Sequence, residues 1–307
     1  MSKKIKKVAV IGLGALGILF ANQMRKNMDF SDLVIVADEK RIEKYKNSGI
    51  YANDEKCDFN FVTPSQKQIM KADFIMIATK FTTLDRALCD IENLVGKDTI
   101  IISIINGIIS EEKVVAKYGK EHVLYSIAQK MDATRQNQSV SYINMGEIRI
   151  GLMEKTQEDD LFAVIEFFER TKVPYVYDKD IIKQMWMKLM ANAGINQATA
   201  MFETTYGGFT TDKIVREYAI GAMQEVRAIA NKKGINITQN DLDMWVNSLD
   251  KLNPSGTTSM AQDILAKRHT EIEIFAGTII KLGKQYDVPT PINEFFYNGI
   301  LEKEKDF

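Results

Sequence analysis

Residues 7–17 have the sequence Lys-Val-Ala-Val-Ile-Gly-Leu-Gly-Ala-Leu-Gly, and this stretch decides the fold of the N-terminal half. Its first part, Lys7 to Ile11, is a short segment that is apolar at every position after the lysine, which is typical of a strand buried on both faces of a parallel sheet. The apolar residues that follow the glycines, up to Phe20, favour the start of a helix. We therefore predict a strand, a glycine turn and a helix in direct succession.

The turn has a spacing of glycines that suits a phosphate ligand. It consists of Gly12, Leu13, Gly14, Ala15, Leu16 and Gly17. The first glycine allows the tight turn, the second lets the backbone approach a pyrophosphate, and the third lets helix and strand pack closely. The pyrophosphate would lie against N–H groups at the positive end of the helix. Because the motif joins a predicted strand to a predicted helix, we predict a nicotinamide dinucleotide site. A glycine-rich turn without a ligand is the structural alternative.

The apolar pattern of the first strand recurs along the chain. Similar runs occupy residues 33–37, 74–78 and 99–103, each followed by a polar or helical segment. This alternation predicts an α/β fold with a Rossmann-type, doubly wound parallel sheet. Residues 139–150 alternate around Asn144-Met145-Gly146, which predicts two antiparallel strands at the edge of the sheet.

Strand signals end near residue 178, and long helical stretches follow. We therefore predict a dinucleotide-binding domain over residues 1–179 and an all-α substrate and catalytic domain over residues 180–307.

Composition excludes several classes of protein. The 40 basic and 41 acidic residues nearly cancel, which disfavours a nucleic-acid binder. Cys57 and Cys89 lie outside any CxxC spacing and the chain has only 2 histidines, so we expect no metal site and two reduced thiols in a cytoplasmic protein. The lysines before residue 8 imitate a signal peptide, but the glycines and the lack of a clear cleavage site argue against one. We also predict no membrane span.

The end of the second predicted strand bears on the choice of cofactor. Asp38 follows that strand, and a carboxylate there would accept a hydrogen bond from the ribose 2′-hydroxyl of NADH. Lys40 and Arg41 would bind the 2′-phosphate of NADPH if the backbone directs their side chains toward the ribose. Asp38 also suits the N-cap position of the following helix. All three interpretations remain open from the sequence.

One helical segment combines an apolar surface with a narrow polar stripe. In residues 185–196, every residue other than Lys188, Asn192 and Asn196 is apolar or glycine. The three polar residues are spaced at i, i+4 and i+8, so they share one face of a helix. A lysine in a buried helix must reach solvent, a ligand or a counter-charge. We interpret the stripe as part of a substrate cleft; the structural alternative is a lysine that reaches solvent beside two packing amides.

With these features, the sequence resembles the ketopantoate reductase family over essentially the whole chain. The resemblance rests on the glycine turn, Thr79-Lys80, Asn106-Gly107, the stripe of Lys188, Asn192 and Asn196, the segment Ser259-Met260-Ala261-Gln262-Asp263-Ile264, and Thr270-Glu271-Ile272-Glu273. The spacing of twelve residues from Ser259 to Glu271 agrees with the family pattern. In one unbroken helix these two residues would be about 18 Å apart, so we expect Ser259 on a loop with a helix beginning after it.

The resemblance implies an oxidoreductase that transfers hydride from NADPH to C2 of 2-dehydropantoate, giving pantoate for pantothenate and coenzyme A synthesis. It implies that Lys188 is the general acid, that Asn192 and Asn196 bind the substrate, and that Ser259 binds the substrate carboxylate. Asn106 would lie where cofactor and substrate meet. Lys80 would contact the cofactor, and Glu271 would support the lysine and the nicotinamide.

The sequence departs from the family pattern at several positions. Asp38 replaces the usual basic or neutral residue, which leaves NADH open as the cofactor. Gln197 replaces a proline that commonly follows the second asparagine, and Thr258 replaces one of two paired serines; His269 and Glu273 also vary the usual pattern. These departures leave a different 2-oxo acid open as the substrate.

Two other functions are alternatives. The first is a β-hydroxyacid dehydrogenase-like reductase of another 2-oxo or 3-hydroxy acid, a class that usually carries glycines before its lysine, where Met185-Trp186-Met187 stand here. The second is a non-catalytic dinucleotide-binding sensor, which would have no reason to keep the lysine, asparagine, serine and glutamate together. We expect a small 2-oxo acid as the substrate. The sequence leaves open whether the protein is a homodimer.

Overall fold

The computed structural model describes residues 3–66 and 71–307, and the chain forms two compact units, Met1–Ile181 and Ile182–Phe307. The first unit combines strands and helices, whereas the second is helical. This is the α/β class with an all-α C-terminal part that the sequence predicts. No helix in the described ranges is both long and apolar enough to cross a membrane.

The first unit is built on a parallel sheet of five strands. The strands of the unit are β1 (Val8–Ile11), β2 (Leu33–Val36), β3 (Tyr51–Ala52), β4 (Glu55–Lys56), β5 (Asn60–Val62), β6 (Phe74–Ile77), β7 (Ile100–Ser103), β8 (Tyr125–Gln129), β9 (Thr134–Gln136), β10 (Ser139–Ser141), β11 (Glu147–Gly151) and β12 (Tyr175–Tyr177). The central sheet has the order β5-β2-β1-β6-β7, and all of its pairs are parallel. The four predicted apolar strands are therefore confirmed as its members.

Helices cover both faces of this sheet. They are α1 (Ala15–Arg25), α2 (Glu39–Ser48), α3 (Leu84–Asp90), α4 (Ser110–Tyr118) and α5 (Glu158–Thr171). Alternate residues of β1 enter two separate cores: Val8 and Val10 pack with residues of α1 and α5, whereas Ala9 and Ile11 pack with residues of α3 and α4. Burial on both faces explains why β1, β2 and β6 are apolar at every position.

The antiparallel pair predicted across residues 139–150 is wrong. Strand β10 pairs with β9 and β3, whereas β11 pairs with β8 and β12, so the two strands belong to different sheets. Between them the backbone N–H groups of Ile143 and Asn144 both donate to Asp132 Oδ1, at 2.9 Å each. The carboxylate of a distant loop therefore satisfies the groups that a tight hairpin would have paired.

The second unit consists of seven α-helices within the described residues. They are α6 (Ile181–Met201, whose first residue closes the first unit), α7 (Tyr206–Thr211), α8 (Lys213–Lys232), α9 (Gln239–Leu249), α10 (Ser259–Leu265), α11 (Thr278–Tyr286) and α12 (Pro291–Glu304). A π-helix over Glu273–Gly277 precedes α11. Helices α6 and α8 pack closely, because a Cβ at Gly194 would lie 2.9 Å from the carbonyl oxygen of Ala219.

Candidate cofactor and active-site residues

Two of the three glycines in the turn between β1 and α1 are required by the packing of the protein itself. Gly12 has φ +95°, and a Cβ there would lie 2.6 Å from the backbone of Ala78. A Cβ at Gly17 would lie 1.9 Å from the carbonyl oxygen of Gly12. Both positions therefore exclude any larger residue, because backbone atoms have nowhere to move without opening the contact between helix and strand.

Gly14 differs, because the described residues leave room for a larger side chain at this position. A Cβ there would meet nothing closer than Ala78 O at 3.7 Å, which is ordinary contact. Gly14 is the N-cap of α1 and provides no side-chain hydrogen bond to the helix. The first N–H groups of a helix have no partner within the helix, so this end is suited to an anion. The approach of a ligand to the backbone would explain why this position is a glycine.

The outer side of the turn is held by a strand from another sheet. Arg135, in β9, donates a side-chain hydrogen bond to the carbonyl oxygen of Leu13. Leu13 is buried, whereas Ala15 and Leu16 at the start of α1 are half-buried. The turn is therefore fixed from both sides before any ligand binds.

A cavity lies beside the turn in the first unit. Its lining includes Gly12, Leu13, Asp38, Arg41, Thr79 and Arg86. The hydroxyl oxygen of Thr79 is buried and has no hydrogen-bond partner in the described part of the chain. Buried polar groups nearly always have a partner, so an unpaired hydroxyl in a cavity wall suits a polar ligand. Gly14 follows the lining residues Gly12 and Leu13 directly, so this hydroxyl and the open position at Gly14 together suit a polar ligand that extends from the cavity to the start of α1.

Asp38 occupies the helix-capping position that the sequence left open. Its Oδ1 accepts the backbone N–H of Arg41 at 2.8 Å, which makes Asp38 the N-cap of α2. Its Oδ2 lies 3.6 Å from Arg41 Nε and 3.7 Å from Arg86 Nη2. Because capping uses only one oxygen, it does not prevent the other from meeting a ligand in the cavity that Asp38 lines. Sequence reasoning missed both Arg86 and the cavity-facing hydroxyl of Thr79.

Lys80 and Asn106 each follow a strand of the central sheet. Lys80 is exposed and lies two residues beyond Ala78, and Asn106 is half-buried in the loop after β7. Gly107, which follows Asn106, has φ +95° and turns this loop. Both residues lie past the carboxyl ends of parallel strands, where ligands bind in open α/β sheets.

The predicted polar stripe lies on α6 in the second unit. Within residues 185–196 every residue is buried except Lys188 and Asn192, which are half-buried. Asn196 is buried, with 9% of its surface exposed. The apolar faces of this segment pack in the core, so residues 185–196 reach the surface only at Lys188 and Asn192. The predicted apolar burial and the separate face of Lys188 and Asn192 both appear in the structure.

The prediction that Ser259 lies on a loop is wrong. Ser259 is the first residue of α10, and the preceding Thr258 is its N-cap. The Thr258 hydroxyl accepts the N–H of Ala261 at 3.2 Å and lies 2.7 Å from the hydroxyl of Thr199, on α6. A threonine therefore starts the helix one residue earlier than expected and ties it to α6, leaving Ser259 exposed. Because α10 ends at Leu265, Ser259 and Glu271 do not share one helix, as expected.

Glu271 stands at the entrance to the π-helix. Its carbonyl oxygen accepts the N–H groups of Ile274 (3.1 Å) and Phe275 (3.3 Å). The preceding Thr270 donates both its backbone N–H (2.8 Å) and its hydroxyl (2.6 Å) to Glu304 Oε1. A carboxylate near the end of α12 thus anchors the backbone beside Glu271, a link that the sequence did not reveal.

Glu304 also has a shifted pKa. Burial raises the pKa of this carboxyl, but the hydrogen bonds from Thr270 and His269 outweigh burial and hold the pKa below its ordinary value. The carboxylate is therefore charged at neutral pH, which suits its role as an acceptor of three hydrogen bonds.

Comparison with known families matches nearly the whole chain. The family model described as "Ketopantoate reductase PanE/ApbA" matches residues 8–155, and its C-terminal counterpart matches residues 180–304. The chain belongs to the ketopantoate reductase family. The sequence is 26% identical to the 2-dehydropantoate 2-reductase of Aquifex aeolicus, over 98% of this chain and 97% of that protein.

Solved structures of other proteins share this fold. The ternary structure of D-mandelate dehydrogenase with NADH and anilino(oxo)acetate has a TM-score of 0.88 and is 20% identical, covering 98% of this chain and 99% of that chain. The dimeric ketopantoate reductase of Staphylococcus aureus has a TM-score of 0.80 at 20% identity, covering 98% and 99%. At this level of identity the two structures establish a shared fold.

Proposed function

We propose that the chain is an oxidoreductase that reduces 2-dehydropantoate to pantoate with NAD(P)H. The observation that carries this proposal is the α6 stripe, since an otherwise buried helical segment brings Lys188 and Asn192 to the surface. A lysine in an apolar helix must reach solvent, a ligand or a counter-charge, and the stripe gives Lys188 a polar face on which a substrate could meet it. The family membership supplies the reaction class.

The chemistry suits these residues. When bound, the nicotinamide would supply hydride to C2 of the 2-oxo acid, so that negative charge would develop on the carbonyl oxygen of the substrate. The ammonium group of Lys188 would stabilise this oxygen and transfer a proton to it, giving the hydroxyl of pantoate. Lys188 then regains a proton from solvent, since its side chain is only half-buried.

The neighbouring polar residues would position the substrate. Asn192 lies one turn from Lys188 and Asn196 one turn further, so both amides would hydrogen-bond the substrate along the stripe. The hydroxyl of Ser259 would bind the carboxylate, and Glu271 would support the lysine. The tie between Thr258 and Thr199 supports this assignment, because it fixes the start of α10 against α6.

At the cofactor end, Asn106 and Lys80 would contact the dinucleotide beyond the sheet, and Gly12 to Gly17 would hold its pyrophosphate. Family resemblance favours NADPH, while the carboxylate of Asp38 favours NADH. A cytoplasmic location and a homodimer belong to the proposal as well; the Staphylococcus aureus protein is described as dimeric.

Reduction of another 2-oxo acid is the second candidate, and the structure accounts for two of the departures that suggested it. Gln197 is fully buried and donates to Asn293 Oδ1 at 2.9 Å. Thr258 is also buried, as the N-cap of α10. Packing within the helical unit explains both residues, so neither argues for a different substrate. A panel of 2-oxo acids with NADH and NADPH tests the choice directly.

The test of the general acid is Lys188→Ala, compared with Lys281→Ala. Lys281 is exposed on α11, so its substitution removes the same charge away from the stripe. We expect Lys188→Ala to lower kcat by about 10²–10⁴-fold, the usual contribution of general acid catalysis, and the control to change it less than about twofold. Lys188→Arg keeps the charge but cannot release its proton near neutral pH, so it should also be slow. A loss below about tenfold in a folded Lys188→Ala protein would reject the assignment.

A further inference from the structure

Arg86 lines the cavity beside the glycine turn but comes from a remote part of the chain. It lies on α3, after β6, whereas Asp38 lies between β2 and α2. Its Nη2 is 3.7 Å from Asp38 Oδ2, and its Nε is 3.7 Å from Asp90 Oδ2. All three side chains line the same cavity. Folding thus adds a second arginine to the Asp38 and Arg41 pair.

Neither arginine is locked onto Asp38. The two separations of 3.6 and 3.7 Å exceed the 2.7–3.2 Å range of N–H···O hydrogen bonds, so the guanidinium groups are attracted by charge alone. Both side chains are largely exposed, with 58% of Arg41 and 67% of Arg86 accessible. Each is therefore free to turn toward another anion in the cavity.

The local charges balance. Asp38 and Asp90 contribute two negative charges, and Arg41 and Arg86 contribute two positive charges. A lone carboxylate at the end of the second strand would repel a 2′-phosphate, whereas a balanced group of four would not. The guanidinium of arginine also matches the geometry of phosphate oxygens.

We propose that Arg86 is a specificity-determining residue: with Arg41 it forms a two-arginine site for the 2′-phosphate of NADPH, while Asp38 Oδ2 accepts the 2′-hydroxyl of NADH. The site therefore admits both cofactors with affinities within about tenfold of each other. This inference rests on the proposed reductase function for its cofactor, but it concerns binding and not catalysis. The proposed site does not include Lys40, because this residue does not line the cavity.

The test measures binding by calorimetry to the full-length protein, with NADPH, NADH, 2′,5′-ADP and 5′-ADP as probes. Arg86→Gln should raise the Kd of NADPH and of 2′,5′-ADP roughly tenfold, the ordinary contribution of one charge-assisted interaction, and leave NADH and 5′-ADP within about twofold. Asp38→Asn should weaken the binding of NADH and strengthen the binding of NADPH. The fold should be preserved, because asparagine is also a good N-cap residue. Lys44→Gln is the matched control, an exposed charge on α2 outside the cavity.

Each outcome decides a separate question. If Arg86→Gln raises the Kd of NADPH no more than Lys44→Gln does, or raises the Kd of both cofactors equally, Arg86 does not select the 2′-phosphate and the inference is wrong. A parent protein that binds either dinucleotide more than about tenfold tighter than the other would also overturn it. If the parent binds neither dinucleotide, the proposed function itself fails. Normal binding of both cofactors with no turnover of any 2-oxo acid would reject the proposed function and leave the inference intact.

Discussion

The three glycines of the turn predict a separation between stability and binding. Gly17→Ala should destabilise the protein, because the new Cβ would lie 1.9 Å from the Gly12 carbonyl oxygen. Gly14→Ala should leave the fold intact, because its Cβ would meet nothing closer than 3.7 Å among the described residues, and should weaken dinucleotide binding. The two substitutions add the same methyl group three residues apart.

The structure sets the size of each effect. The Cβ at Gly17 must move from 1.9 Å to at least 3.0 Å from that oxygen, so the helix must separate from the turn by about 1 Å. Overpacking of this kind costs about 1–3 kcal/mol, and the contact is with rigid backbone, so we expect the upper end. Alanine gains about 1 kcal/mol over glycine inside a helix, which leaves a net loss of about 2 kcal/mol.

Gly14→Ala changes the free energy of unfolding through two small effects of opposite sign. The backbone angles of Gly14, φ −73° and ψ −170°, are open to alanine. Alanine is a poorer N-cap by about 0.5–1 kcal/mol, but it restricts the unfolded chain by about 0.4–1 kcal/mol. The free energy of unfolding should therefore change by less than about 1 kcal/mol. In contrast, a methyl group where the pyrophosphate approaches should raise the Kd of the dinucleotide at least tenfold, or about 1.4 kcal/mol.

Urea unfolding followed by circular dichroism gives the stabilities, and fluorescence titration with NADPH and NADH gives the affinities. Normal binding by Gly14→Ala would refute the argument that this glycine serves a ligand. A Gly14→Ala protein that fails to fold would refute the geometric argument equally. A fully stable Gly17→Ala protein would show that the turn can open without cost.

Two further predictions concern the helical unit. Thr258→Ala should lower the free energy of unfolding by about 1–2 kcal/mol in urea titrations, because the N-cap of α10 and the hydrogen bond to Thr199 are both lost. Thr258→Ser keeps the hydroxyl and should restore most of this stability. Equal losses in both variants would show that the hydroxyl is not the cause. Glu304 has a folded pKa below its ordinary 4.5, so its contribution to stability is fully present above pH 4.5 and is lost as the pH falls through the folded pKa. The stability gap between the parent and Glu304→Gln should therefore shrink on acidification, and a gap independent of pH would contradict the assignment.

Local sequence pattern determined the elements of this protein and the residues that share one face of an element. The apolar runs predicted the four strands, and burial on both faces explains why they carry no polar alternation. The spacing of Lys188 and Asn192 placed both on one stripe, since the period of a helix alone fixes neighbours four residues apart. The glycine turn was likewise recognisable because its strand and helix are adjacent in the chain.

Only the tertiary structure decided which distant elements meet. Arg86 is paired with Asp38 because α3 and α2 follow strands on either side of β1 in the sheet, an order that no local pattern encodes. The failed pairing of β10 with β11 has the same origin, since packing gave each strand a different neighbour. Contacts within a helix or strand depend on the geometry of that element alone, whereas contacts between elements depend on how all of them pack together in the core. The cofactor class could therefore be predicted from residues 7–17, while the residues around its 2′-position required the fold.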